Sequence, residues 1–261
     1  MATMGQGEAA RQAGTRVLTN DDGIDAPGLE ALRRAAEGLG GPVRVVAPSA
    51  PWSSMGHAVT GGAAIRVEHL GPDRIAVAGT PADCVRLALH HLAPEPSWVF
   101  SGINRGGNLG ADVHHSGTVA AAREAVLHGV PAIALSHYIR RDRPLDWDRA
   151  ARWARRVLEF LTALPWQPGT LWSVNLPHLL PDEPDPDLVF CPLDPSPLPL
   201  RFALAGDEAT YSGDYHGRLR VPGADVDVCF GGRVAITRIR ILPDPSEAAA
   251  GPTRVIPMPG P

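Results

Sequence analysis

Two adjacent carboxylates, Asp21 and Asp22, follow the short apolar run Arg16–Thr19 in the segment Asn20-Asp21-Asp22-Gly23. Like charges at neighbouring positions repel unless something cationic holds them. Carboxylate, amide and hydroxyl oxygens together suit a hard divalent cation, Mg²⁺ or Mn²⁺. The plainer reading is that the pair caps a turn or a helix, as Asp often does. A place directly after a first strand, with Gly23, Pro27 and Gly28 nearby, keeps both readings open.

Two further polar loops follow apolar runs. Pro48–Gly56 carries Ser49, Ser53 and Ser54, and the run Ser101-Gly102-Ile103-Asn104-Arg105-Gly106-Gly107-Asn108-Leu109-Gly110 follows the Trp98 strand. A fourth element, His115-Ser116-Gly117-Thr118, stands immediately before an Ala-rich helical stretch. Backbone N–H groups at a helix start attract anions, Gly117 lets a phosphate approach, and Ser and Thr hydroxyls add donors. An ordinary Ser/Thr cap is the alternative. An acidic cation site beside an anion-binding helix start points to phosphoryl chemistry, with the cation on the phosphate oxygens. His57, His114 and His115 lie in or near these loops, as acids or as polar walls. The other seven histidines, among them His137, are read as structural.

These loops need a scaffold. Val43–Ala47, Trp98–Ser101, Ala132–Ser136 and Leu171–Leu176 read as strands after Arg16–Thr19, with Ile65–Val67 and Ile75–Val77 as a small hairpin. Between them, Leu29, Leu32 and Ala36, then Val85, Ala88 and Leu92, then Val119, Ala122 and Val126, then Trp147, Ala151, Ala154, Leu158 and Leu161 recur at helical spacing. Thr80-Pro81-Ala82-Asp83 is a helix start. Strand–helix alternation implies parallel βαβ units: an α/β, Rossmann-like three-layer core with a mostly parallel sheet, whose ligands bind beyond the strand C-termini. The pattern changes at Pro177–Pro199, where eight prolines exclude regular helix or central strand. Residues 200–220 are polar and turn-rich, and Val226–Phe230 and Val234–Ile241 read as late strands. The expected organisation is a disordered leader over 1–14, a core over 15–176, an arm with late strands over 177–242, and a Pro-rich tail over 243–261. The arm is expected to pair with another copy.

Composition excludes several classes. All 24 basic residues are arginine, so a Walker A loop, Schiff-base chemistry and a protein kinase all lack their lysine. A net charge of −4 disfavours wrapping of duplex nucleic acid. No apolar run approaches a membrane span, and Met1–Gly14 lacks the apolar core of a secretory signal. Three scattered cysteines, Cys84, Cys191 and Cys229, fit a reducing cytoplasm rather than a disulfide framework.

Several motifs in order resemble the SurE survival-protein family. They are Val17-Leu18-Thr19-Asn20-Asp21-Asp22-Gly23-Ile24-Asp25-Ala26-Pro27-Gly28, Val46-Ala47-Pro48 with Ser53, and Gly79-Thr80-Pro81-Ala82-Asp83-Cys84-Val85. Ser101-Gly102-Ile103-Asn104-Arg105-Gly106-Gly107-Asn108 and the run from Ser116 to Glu124 complete the set, and the resemblance extends over residues 15–242. It implies a metal-dependent phosphatase acting on nucleoside 5′- and 3′-monophosphates and, in some members, short polyphosphate. It implies one divalent cation per subunit on Asp21, Asp22, Ser53 and Asn104, with phosphate contacts at Asn108, Ser116, Gly117 and Thr118. It further implies a homodimer or homotetramer built through the C-terminal arm, in which Asp225 and Gly232–Thr237 resemble the late strand segment. The chain departs from the family at Trp52, at His115 where Tyr is common, and at Arg238 where Pro is common. Rival readings are a non-catalytic nucleotide-binding oligomer that senses metabolites, a haloacid-dehalogenase-type phosphatase, which would need Asp-x-Asp after the first strand, and a dinucleotide-dependent oxidoreductase, which would need Gly-x-Gly-x-x-Gly.

Overall fold

The computed structural model describes residues 14–140 and 142–243. The expected leader, apart from Gly14, and the expected tail, apart from Pro243, lie outside the described residues. In chain order the elements are β1 (Thr15–Thr19), α1 (Pro27–Ala36), β2 (Val43–Pro48), β3 (Val67–His69), β4 (Arg74–Val77), α2 (Pro81–Leu87) and β5 (Pro96–Arg105). There follow α3 (Gly117–Leu127), β6 (Ala132–His137), α4 (Trp147–Thr162), β7 (Thr170–Leu176), β8 (Leu188–Phe190), β9 (Phe202–Ala205), β10 (Glu208–Tyr211), α5 (Asp225–Phe230) and β11 (Val234–Arg240).

Nine strands form one sheet in the order β3-β4-β2-β1-β5-β6-β7-β11-β8. From β4 to β7 the pairs are parallel, β3 joins β4 as the expected hairpin, and β11 runs antiparallel to β7. The central strands are buried on both faces, which is why they read as continuous apolar runs rather than alternating ones. Leu18, Phe100, Ile133 and Leu135 pack under α1 and α4. Val17, Val99, Val119 and Ala122 form a second core under α2 and α3. This is the three-layer α/β arrangement expected from the sequence.

Local signals explain where the helices start. Thr80 and Asp83 form a reciprocal capping box at α2, Ser116 Oγ accepts from Val119 N–H at 3.0 Å at α3, and Asp146 Oδ1 accepts from Arg149 N–H at 2.9 Å at α4. In α4, Trp153, Val157, Leu158 and Leu161 face the core while Arg155, Arg156 and Glu159 face solvent.

The C-terminal third differs from expectation in three places. The segment 226–230 is helical, not a strand. Val226, Val228 and Cys229 turn inward onto Leu109 and Tyr138, and Asp225 is buried at the helix start. Within the proline-rich stretch a short strand, β8, does form, and it lies at the sheet edge, where missing N–H groups are tolerated. Residues 202–211, read as polar turns, form the separate hairpin β9–β10, every residue of whose strands is exposed. Arg238, one of the departures from the family pattern, lies 4.4 Å over the Trp172 ring. No described helix is long and apolar enough to cross a membrane, and the three cysteines are unpaired.

Candidate active site

A cleft of about 290 Å³ opens at the C-terminal ends of β1 and β5. Asp21, Asp22, Ser53, Asn104, Asn108 and Ser116 all line it, with Ser54 and His115. Residues spread over nearly a hundred positions thus meet at one sheet edge, where a doubly wound fold binds ligands.

Local geometry aims each side chain. Asn20 closes the first loop: its Nδ2 donates to the Gly23 carbonyl at 2.8 Å and its Oδ1 accepts from Gly23 N–H at 3.2 Å. The Trp52 N–H donates to the Asp21 carbonyl at 2.8 Å, fastening the serine loop to the acidic one. In β5 the register against β6 shifts between Ser101 and Asn104. The shift is built on Gly102, whose φ is +133° and whose Cβ would lie 2.1 Å from the Leu135 carbonyl oxygen. Beyond it Asn104 emerges at the cleft, with Nδ2 donating to the Gly106 carbonyl at 2.8 Å. That bond leaves Oδ1 as the atom able to face a cation. Asn108 is clamped at both ends: its N–H donates to Asn175 Oδ1 at 2.8 Å and its Nδ2 to Ser136 Oγ at 2.7 Å.

Asp21 is the electrostatic centre. Burial pushes its pKa up to about 6, hydrogen bonding from Thr118 pulls it back, and the Asp22 charge raises it again. The Thr118 hydroxyl donates to Asp21 Oδ1. A Cβ on Gly117 would stand 2.7 Å from Asp21 Cβ and 2.9 Å from Oδ2, so only glycine lets α3 start this close to the carboxylate. Thr118 is fully buried and, with Gly117, does not line the cleft. The Thr118 hydroxyl is engaged by Asp21, and Gly117 leaves room for the carboxylate. Ser116 and Asn108 line the cavity.

Four residues were not singled out from the sequence as site residues. Arg105 lines the cleft, and its N–H donates to Asp22 Oδ2 at 3.2 Å. Tyr215, from the segment after β10, reaches the same cavity, and its hydroxyl donates to Asp112 Oδ2 at 3.0 Å. Arg218, its side chain 1% exposed, donates to the same Asp112 oxygen at 2.9 Å. Asp112 followed by a helix start could have drawn notice; nothing local marks Tyr215 or Arg218. Of the histidines, His115 is on the cleft, whereas His57 turns away to Glu124 at 2.6 Å.

The donors fit a hard cation. Two carboxylates, one amide and one hydroxyl side chain line the same cleft, and the buried Asp21, its pKa raised, would be favoured in its charged form by a positive neighbour. Among the described residues no three His, Cys, Asp or Glu side chains gather, so neutral oxygens would complete the coordination.

Fold and cleft define a doubly wound α/β protein with an acidic, oxygen-rich site at its strand ends. The model of the survival protein SurE matches residues 16–192, and the chain belongs to the SurE family. A Nostoc protein named "Putative 5′-nucleotidase alr3139" is 48% identical over 227 residues, spanning 87% of this chain and all of that protein. The 5′-nucleotidase SurE of Paramagnetospirillum magneticum is 44% identical, over 63% of this chain and 64% of its own length. The crystal structure of the SurE protein from Aquifex aeolicus superposes with a TM-score of 0.78 at 28% identity, covering 90% of this chain and 96% of that one.

Proposed function

We propose that the chain is a phosphoric monoester hydrolase, a 5′-nucleotidase that also accepts nucleoside 3′-monophosphates and short polyphosphate, working with one Mg²⁺ or Mn²⁺ per subunit. The observation that carries this reading is the convergence of Asp21, Asp22, Ser53 and Asn104 with Asn108 and Ser116 in one cleft. The relatives named as 5′-nucleotidases support the nucleotidase part of it.

Asp21, Asp22, Ser53 and Asn104 would hold the cation, which when bound supplies positive charge against the phosphoryl oxygens. Thr118 fixes the Asp21 carboxylate, and Gly117 allows α3 to press its N-terminus toward it. Ser116 and Asn108 orient the phosphate, so charge developing on its oxygens meets donors already in place. Water attacks phosphorus, the ester P–O bond breaks, and the nucleoside leaves as an alcohol. His115 is the cleft-lining candidate to protonate it. Tyr215, which also lines the cavity, offers an aromatic side chain for the nucleoside.

The exposed side chains of Leu200, Phe202, Leu204, Leu219 and Val221 support a dimer or tetramer built through the arm. The unpaired thiols support a cytoplasmic setting.

Phosphate release from AMP with added Mn²⁺, abolished by EDTA, tests the assignment. Nucleotide binding without release under any divalent metal would leave the non-catalytic sensor instead.

A further inference from the structure

We propose that Arg105 is the anion clamp of this cleft, its guanidinium gripping the phosphoryl group of the substrate. The inference rests on reading the cleft as a phosphomonoesterase site, and adds to that reading a residue no part of it had used.

The first observation is position. Arg105 ends β5 directly after Asn104, and its N–H donates to Asp22 Oδ2 at 3.2 Å. Its main chain is therefore tied to the acidic pair, and the residue lines the same cleft. The second is freedom. Arg105 is exposed, and among the described residues its guanidinium has no carboxylate within 4.0 Å and no hydrogen-bond acceptor. Arg218, at the same end of the sheet, is the contrast: it is buried and bound to Asp112. The third is charge. A dication on Asp21 and Asp22 leaves that part of the cleft neutral, and Asp112 is already balanced by Arg218. A phosphate monoester arrives as a dianion. Arg105 is the one Arg among the described residues lining the cleft, and the chain has no lysine to share the task.

A guanidinium presents a planar fork of N–H donors that matches two phosphoryl oxygens at once. Placed beside the cation, it answers the charge that spreads over the equatorial oxygens as the ester bond breaks. The side chain needs no rearrangement of a salt bridge to do so, because it has none to break.

The test uses the full-length, Mn²⁺-loaded protein and the variants Arg105→Ala and Arg105→Lys. Inorganic phosphate is titrated calorimetrically and as a competitive inhibitor of AMP hydrolysis. In Arg105→Ala the phosphate dissociation constant rises about 10-fold or more, and kcat/KM for AMP falls about 10- to 100-fold. Arg105→Lys restores part of both, and added guanidinium ion restores part of the rate in Arg105→Ala. Mn²⁺ affinity and the thermal midpoint stay at wild-type values, since the backbone N–H to Asp22 is retained. Phosphate affinity unchanged in Arg105→Ala, or a fall in phosphate affinity that tracks lost Mn²⁺ binding, overturns the clamp. A wild-type protein that binds phosphate through Arg105 yet hydrolyses no monoester overturns the hydrolase reading and leaves the clamp standing.

Discussion

Asp21 is held by opposing forces. Burial raises its pKa to about 6, Thr118 stabilises the charged form, and Asp22 works against it. A cation bound there, as proposed, would remove the penalty of burying the charge. Replacing Asp21 with Asn keeps the shape and removes the charge, so turnover of AMP is expected to fall by orders of magnitude while the melting curve survives. Hydrolysis at the wild-type rate would refute the site. Thr118 gives a subtler test, because it acts through Asp21 and does not reach the cleft. Thr118→Val leaves the Asp21 oxygen without its donor, and Mn²⁺ affinity is expected to drop about 10- to 100-fold, as for other outer partners of metal ligands. Thr118→Ser keeps the hydroxyl and should bind within a few-fold of wild type; equal affinity in Val and Ser variants would show that the hydroxyl does not hold the carboxylate. The sequence displayed a hydroxyl at a helix start but not its direction. That direction depends on how closely α3 approaches β1, a distance set by Gly117 and by packing remote in sequence.

At the scale of elements, legibility follows burial and length. The strands β1, β2, β5, β6 and β7 were readable because each is an apolar run covered on both faces, and the helices because their caps and spacing are local. The segment 225–230 defeated the same reasoning. Asp225, Val226, Asp227, Val228 and Phe230 alternate polar and apolar with period two, and a six-residue helix is too short to display its own period. What makes it helical lies elsewhere. Asp225, 1% exposed, accepts from the N–H groups of Gly110 and Asp194 at 2.8 Å each and of Val226 at 2.9 Å. It thereby joins the loop beneath the cleft to the returning arm that carries Tyr215. Tyr215 was invisible for the same reason: its partner Asp112 stands about a hundred residues earlier. Asp225→Ala would strand three donors, two of them from other segments, and is expected to destabilise the fold by about 3 kcal/mol. Urea unfolding should show a lower midpoint at unchanged slope. A midpoint equal to wild type would mean that water replaces the carboxylate, and that the arm is held by its apolar contacts alone.

Acid stability is a property of the whole molecule, because the groups that govern it sit on different elements and pull in different directions. His137, 2% exposed at the end of β6, has its pKa lowered to about 4, first by burial and then by His178, against help from the Tyr138 carbonyl and Asp146. Trp147 and Trp153 pack around it. The unfolded chain takes this proton near pH 6.5 and the folded chain only near 4. Stability is therefore full above the unfolded value and declines as pH falls across that window, by about 3 kcal/mol. Glu124 adds a second step lower down. Burial would raise its pKa, but His57, Arg86 and His128 outweigh burial and hold it at about 2, so its contribution is lost as pH falls from the ordinary carboxylate range through 2. Asp21 has the opposite sign: with its pKa raised to about 6, it contributes stability below its unfolded value and loses it as pH rises through 6. The two slopes overlap between about pH 4 and 6 and partly cancel, so wild-type unfolding alone would understate both. An Asp21→Asn background removes one of them. In that background, with EDTA present, denaturant unfolding should steepen in its loss of stability from pH 6.5 to 4, and adding His137→Phe should flatten that window while leaving the fall below pH 4 intact. If the decline between 6.5 and 4 persists undiminished without His137, some other group is taking up the proton.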